Sequence, residues 1–339
     1  MNKIAFIFAS MILIFSISVQ VTGAQEDPIA IIEEEFENFE SNNKSTNGFR
    51  TSSGLDMQIS SLPEAKLAFS QNFIFPVLQS SSPLTSGNNL RLNLAAEITP
   101  VSMDGIFKAV LTPIAFLEFS AGGKIGTGWP FDAFNAVGIG LNLADENNIQ
   151  VYDGSPFDAI LYKGWAGGTF QFDLAAVVPG DWNHIVFLTY HELNYRGNTR
   201  AKANEAWYYE NDSGENCNGF NYYGNFVLGY QMPLSPVLKM IALMAEMDLY
   251  LYDTPDRKDW GDDLIRWHFS HILQFEISKK FGFAIITQFR TMRNFTNFDL
   301  NEAKRNDEPL MYYRSRILDK DNPYRVEFFR VAGIFSYSF

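Results

Sequence analysis

The chain has 339 residues, with 39 acidic against 26 basic side chains, a formal net charge of -13 and 31 Phe among 15% aromatic residues. That charge excludes a nucleic-acid-binding role, which needs a basic footprint against phosphate. A single cysteine, Cys217, excludes an intrachain disulfide framework.

At the N-terminus Lys3 precedes an apolar run from Ile4 to Val19 and the small residues Thr22, Gly23 and Ala24. This pattern predicts a secretory signal over 1–24, cut after Ala24. Ser10, Ser16, Ser18 and Gln20 interrupt the run, which argues against a retained anchor. No Cys lies near the cut, so a lipoprotein's lipid attachment is excluded. Beyond it no apolar stretch approaches the ~18 residues of a membrane helix, so any membrane embedding must use strands.

Residues 25–64 form an acidic N-terminal extension: Glu26, Asp27, Glu33, Glu34, Glu35, Glu37 and Glu40 occur with no Lys or Arg before Asn43. Asp27 and Pro28 suit a helix start, with Ile32, Phe36 and Phe39 on one face. Ser41 to Gly54 has the composition of a flexible linker. A solvated tail is favoured over a helix that blocks a pore, because charge runs are often disordered.

From residue 65 the period changes to two. Leu67, Phe69, Phe73 and Phe75 alternate with Ala68, Ser70 and Asn72; Leu90, Leu92, Leu94, Ala96 and Ile98 alternate with Arg91, Asn93, Ala95, Glu97 and Thr99. The scheme recurs around Val137–Leu143, Thr169–Leu174, Asn225–Gln231, Ile241–Leu251, Ile265–Ile277 and Phe281–Arg290. Several segments hold it for ten residues or more, against a mean soluble strand of about 5–6 and the ~9–11 that cross a bilayer at a tilt. Tight turns at 178–181, 233–236 and 278–282 interleave with long polar connections at 197–219, 254–263 and 298–323. Strand starts are expected near 65, 89, 105, 132, 157, 168, 183, 220, 237, 264, 281 and 324, about twelve in all, with ten or fourteen as the alternatives. An even number places both chain ends on one side. Two features fit poorly: His271 falls on the apolar face, and the strand at 183–196 offers two equally good faces, one with Thr189 and His191, the other with Tyr190, Glu192 and Asn194.

The last nine residues, Val331, Ala332, Gly333, Ile334, Phe335, Ser336, Tyr337, Ser338 and Phe339, alternate large apolar with small residues and end on an aromatic. Phe329, Val331, Phe335, Tyr337 and Phe339 would share one face, and Arg330, Ala332, Ser336 and Ser338 the other. In this the chain resembles bacterial outer-membrane β-barrels of the porin-like kind. The resemblance implies an all-β transmembrane antiparallel barrel over 65–339, with 25–64 as an acidic periplasmic segment or plug. It also implies outer-membrane lipid as the surround, and the barrel-assembly machinery as the reader of Phe335, Tyr337 and Phe339.

On that expectation the inward rows collect charge of both signs: Arg91, Glu97, Lys108, Glu118, Asp173, Glu246, Asp248, Arg266, His268, Glu276, Arg290 and Arg330. A water-filled passage for small solutes is one reading; a plugged lumen, as in a surface adhesin or structural membrane protein, is the alternative. A secreted soluble β-sandwich is disfavoured by strand length. With the signs interspersed, no strong preference for anions or cations is expected. The N-terminal extension and apolar richness resemble long-chain fatty-acid transporters in outline, with no matching motif. Outer-membrane phospholipases pair a Ser with a His on outward positions, but Ser270 and His271 point to opposite faces. No enzyme activity, cofactor or metal is expected, since His184, His191, His268 and His271 also lack the spacing of zinc enzymes. Gly138 and Gly140 read as small lumen residues, and the Trp residues with Tyr195, Tyr222, Tyr223 and Tyr337 as rings at the water–lipid boundary.

Overall fold

Period-two sequence becomes strand almost throughout the computed structural model, which describes residues 48–338 apart from 63, 132–137, 146–149, 179, 181, 211–213, 233–234, 252–260, 262 and 299–315. The strands are β1 (Arg50–Ser60), β2 (Ala65–Pro76), β3 (Asn89–Ile98), β4 (Ser102–Ile114), β5 (Leu117–Gly128), β6 (Ile139–Ala144), β7 (Gln150–Asp153), β8 (Leu161–Asp173), β9 (Ile185–Asn198), β10 (Trp207–Tyr209), β11 (Gly219–Gln231), β12 (Leu238–Tyr250), β13 (Arg266–Ser278), β14 (Phe281–Arg293), β15 (Phe295–Phe298), β16 (Arg316–Leu318) and β17 (Tyr324–Ser338). Twelve of them close into an antiparallel barrel in the order β1-β2-β3-β4-β5-β8-β9-β11-β12-β13-β14-β17 and back to β1. The closing seam pairs Gly54 with Ser338 through Ser60 with Ala332. Closure satisfies the backbone groups that an open sheet edge would strand in hydrocarbon.

Following the strands up and down puts both ends of the barrel sequence, Arg50 and Ser338, at one rim, with the connections at 77–88, 115–116, 174–184, 232–237 and 279–280. The opposite rim carries 61–64, 99–101, 129–160, 199–218, 251–265 and 294–323, which include the longest. Two small sheets lie outside the barrel in these longer connections: β10-β6-β7, and the pair β15-β16.

The expected count of twelve is reached by a different set of strands. The start expected at 132 is β6, in a loop sheet, and the two starts at 157 and 168 are the single strand β8. In their place stand β1, inside the segment read as an extension, and β5. The barrel therefore begins at Arg50 and not at 65. The signal segment and the acidic helix at 27–39 lie outside the described residues, as does Phe339.

Burial alternates as the pleat requires. On β12, Met240, Ala242, Met244, Glu246, Asp248 and Tyr250 are buried, while Ile241, Leu243, Ala245, Met247 and Leu249 between them are not. The two-faced strand β9 resolves with Tyr190, Glu192 and Asn194 inward and Thr189 and His191 outward. A bulge between Gln288 and Phe289 breaks the register of β14 against β17. It turns Phe329 inward, away from the row of Val331, Phe335 and Tyr337: Phe329 is 7% exposed, and its ring lies 4.3 Å from the Arg290 guanidinium and 5.5 Å from the His268 ring. The expectation that Phe329 shares the outer row is corrected by this one extra residue.

Candidate passage and its lining

The wall comes first, because it fixes which side is wet. Leu55, Met57, Leu67, Phe69, Leu94, Phe107, Phe119, Ile125, Phe170, Phe187, Leu228, Leu243, Phe269, Phe289 and Val331 are all outward and all exposed. They come from every part of the ring and form an apolar band far larger than the few hundred Å² a water-soluble surface carries. The barrel is of the outer-membrane kind. The outward polar groups are mostly tied into the wall. His191 Nε2 lies 2.9 Å from Thr189 Oγ1, its Nδ1 lies 2.5 Å from the Tyr222 hydroxyl, and Thr189 donates to the Asn225 carbonyl. If Tyr222 donates to Nδ1 and Nε2–H donates to Thr189, every member is satisfied and the Thr hydroxyl is committed to backbone. Gln71 similarly holds Thr51 and Ser53 across β1 and β2.

No family model matches the chain, and no curated protein matches it. Among solved structures it is similar to one described as "KdgM porin" (11% identity, covering 85% of this chain and 99% of that one, TM-score 0.36). It is also similar to "Outer-membrane expressed OmpT of Vibrio cholerae" (7% identity, 86% and 97%, TM-score 0.34). At these scores the likeness carries no argument; strand order and register carry the fold.

Inside, the residues expected to line a passage divide into two environments. Toward the rim that carries the chain ends, β9, β11, β12, β13, β14 and β17 fill the interior with an apolar cluster: Val186, Leu188, Val227, Met240, Ala242, Met244, Ile272, Ala284, Ile286, Ala332 and Ile334, each 3% exposed or less. Above it sits a polar layer with its members paired. Glu246, 2% exposed, accepts from the Tyr223 hydroxyl at 2.7 Å and from Gln288 at 3.3 Å. Gln288 in turn accepts from Arg330 Nε at 2.9 Å, and Arg330 reaches Glu64 at 2.6 Å. Asp248 holds Arg266, and Arg196 at 3.4 Å; the Arg266 guanidinium lies 3.8 Å from the Tyr250 ring. Arg290 donates twice to Glu327, at 2.9 and 2.8 Å. Lys163 and Glu192 pair at 2.7 Å. His268 stands in register with Glu246 and Arg290, packed against Phe329.

The wall of β1 to β5 differs. Glu97 is held loosely between Lys66 and Lys124, at 3.6 Å each, and Lys124 also pairs with Asp104 at 3.1 Å. Lys66 and Lys124 keep some exposure, 18% and 16%, comparable with Arg266 at 20% and Arg196 at 16% on the facing wall, while Glu97 and Asp104 are more enclosed. Arg91 is sealed at the lower end of this wall, bridging both oxygens of Glu118 at 3.0–3.1 Å, with Thr112 donating to the same carboxylate.

Two expected lining residues lie at the rim instead. Asp173 accepts from the Ala175 amide, capping a 3-10 turn, and lies 2.9 Å from His184. Glu276 is 42% exposed and pairs with Lys239 at 3.4 Å. Three aromatics expected at the lipid boundary are inside: Trp207 in the loop sheet, Tyr223 on Glu246, and Trp165 lying over Gly122, where a Cβ would approach its ring to 2.3 Å. Trp260 lies outside the described residues. Gly138 and Gly140 are not in the lumen either. They belong to the β6 region, where Gly138 adopts φ +72° and Gly140 backs onto the Asp153 carbonyl.

Sequence reasoning missed the loop residues that meet the lumen. The Tyr209 hydroxyl donates to Asp104 Oδ1 at 2.6 Å, Ser102 donates to Glu210, and Arg293 pairs with Glu215. Burial raises the pKa of Glu210, opposed by Lys124 and Lys66; burial and the nearby carboxylates of Glu210 and Asp104 raise that of Tyr209. The available signal was composition: 201–218 is unusually aromatic and Asn-rich for a solvated loop, with Trp207, Tyr208 and Tyr209 in succession.

Proposed function

We propose that this chain is a porin-like outer-membrane channel of low conductance, exported by its N-terminal signal. Small hydrophilic solutes would pass along the β1–β5 side of the lumen. The observation that supports this is the uneven interior: toward the chain-end rim the β9–β17 side is filled by the apolar cluster, whereas on β2, β3 and β5 Lys66 and Lys124 each stand 3.6 Å from Glu97, close enough to pair and far enough apart to admit a solute. Lys66, Glu97, Asp104 and Lys124 would replace part of a solute's hydration with alternating charge, so neither ion sign is strongly preferred.

Reconstitution in a planar bilayer tests it. Small, weakly selective unitary steps are expected, with Glu97→Gln shifting the reversal potential toward anions. Silent bilayers from correctly folded protein would overturn it. The apolar cluster favours a second reading, a plugged surface or structural barrel, and that is the result silence would support.

A further inference from the structure

We propose that the connection between β9 and β11 is a strap, latched to opposite walls of the barrel, that closes the long-loop mouth and releases as a unit. Its described parts are 199–210 and 214–218, and the latching residues lie within 207–210 and 214–218. The strap is rooted on neighbouring strands, yet it reaches three strands in each direction round the ring. On one side Tyr209 bonds Asp104 and Glu210 bonds Ser102, both at the top of β4. On the other, Glu215 pairs with Arg293 at the top of β14, the two side chains being 5% and 8% exposed. Between these latches the strap is internally braced. Trp207 and Asn216 exchange backbone hydrogen bonds at 2.9 and 3.2 Å, and Asn218 closes the base onto the Asn198 and Ala201 carbonyls at 3.1 Å. Trp207, 1% exposed, packs with Ile139 and Leu161.

The barrel wall is shaped for the latch. A Cβ at Gly126 of β5 would meet the Asp104 carboxylate at 1.8 Å and the Tyr209 hydroxyl at 2.6 Å, so only glycine admits both groups at this point. The two latches are polar and small in number, whereas the brace is larger: Trp207, Tyr208 and Tyr209 also pair with Leu141, Gly140 and Ile139 of β6, and Asn142 donates to the Gly214 carbonyl, so β6 moves with the strap. Release at the latches with the brace intact is therefore the low-cost motion, as expected of elements drawn from the less stable end of a fold. The consequence for solute flux rests on the channel reading above; the latch itself does not.

The molecule carries its own reporter. Cys217, its one cysteine, lies in the strap and is 1% exposed. A membrane-impermeant maleimide is added to the full chain in lipid vesicles, with heat-dependent electrophoretic mobility as the check on folding. Arg293→Met, which takes the cation from buried Glu215, and, independently, Gly126→Val, whose side chain displaces the Tyr209–Asp104 bond, are expected to raise the labelling rate of Cys217 by roughly tenfold or more. Lys239→Gln, at the far rim, should leave it unchanged. Equal labelling of wild type and both latch variants, in protein that keeps its folded mobility, overturns the strap. So does an equal rise in the Lys239→Gln control. Faster labelling with bilayers that stay silent supports the strap and overturns the channel reading.

Discussion

The Arg91–Glu118 pair offers a quantitative test of the interior. Both side chains are nearly inaccessible, at 4% and 5% exposure. Only Arg91 Nη2 is used on the carboxylate, and its Nε and Nη1 have no protein acceptor. Breaking a buried pair by removing one partner costs about 3–5 kcal/mol, because the remaining charge is stranded. Arg91→Met should therefore lower the folding equilibrium constant by roughly two to almost four decades at ~1.4 kcal/mol per decade. Glu118 would lose its cationic partner while keeping its bond from Thr112. Replacing both residues, Arg91→Met with Glu118→Leu, removes the stranded charge and fills the space with apolar volume. Such replacements are neutral or stabilising by ~1–4 kcal/mol, and the partly satisfied guanidinium places this pair on the stabilising side. Urea unfolding in lipid vesicles, followed by Trp fluorescence, supplies the four corners of the cycle. A double variant no more stable than Arg91→Met alone would refute the claim that this pair is shut off from water.

Three further outcomes follow from the same packing. Phe329→Ala should cost about 3–5 kcal/mol, as for a core aromatic, and distinctly more than Phe328→Ala on the outer wall; equal urea midpoints would contradict the inward turn at the bulge. Gly122→Val should abolish the folded mobility, because its side chain must occupy the Trp165 ring, and wild-type behaviour would remove that contact. Strap opening should increase with pH. Burial raises the Glu210 pKa above the ordinary 4.5 of a carboxyl free in water, against the pull of Lys124, Lys66 and the Ser102 hydroxyl and with Asp104 adding to it. The latched state thus binds the proton more readily; its proton-linked stability is complete below 4.5 and is lost as pH rises through the raised value. Because thiol ionisation also rises with pH, the readout is Cys217 labelling of wild type divided by that of Glu210→Gln, which mimics the protonated acid. A ratio independent of pH would contradict the assignment.

What the sequence disclosed, and what it hid, follows from how strand faces are written. Where large and polar residues alternate, as on β3, β12 and β14, the strand and its wet side were legible directly. β5 was hidden because Gly122, Gly123, Gly126 and Gly128 look like turn punctuation. Two of these glycines instead make room inside, Gly122 for Trp165 and Gly126 for Asp104 and Tyr209. β1 was hidden because Thr51 and Ser53 occupy outer positions that are usually apolar; their hydrogen bonds to Gln71, eighteen or more residues away, carry no local signature. The bulge that turns Phe329 inward depends on pairing with β14, which no single-strand period contains. The charged residues of the inward rows can be named from the alternation, yet what each does depends on partners on other strands: Glu246 and Arg330 are both bonded to Gln288. The latches lie furthest beyond reach, since Ser102 and Glu210 are 108 positions apart.

The central claim is that the apolar rows face lipid and the charged rows face inward. It is tested most directly by moving a single cysteine, in a Cys217→Ser background, through positions 240–249 of β12 and attaching a fluorophore quenched by brominated lipid acyl chains. Quenching at 241, 243, 245, 247 and 249, with little at the even positions between, is the expected result. Quenching at the even positions, or none with a period of two, would contradict the account.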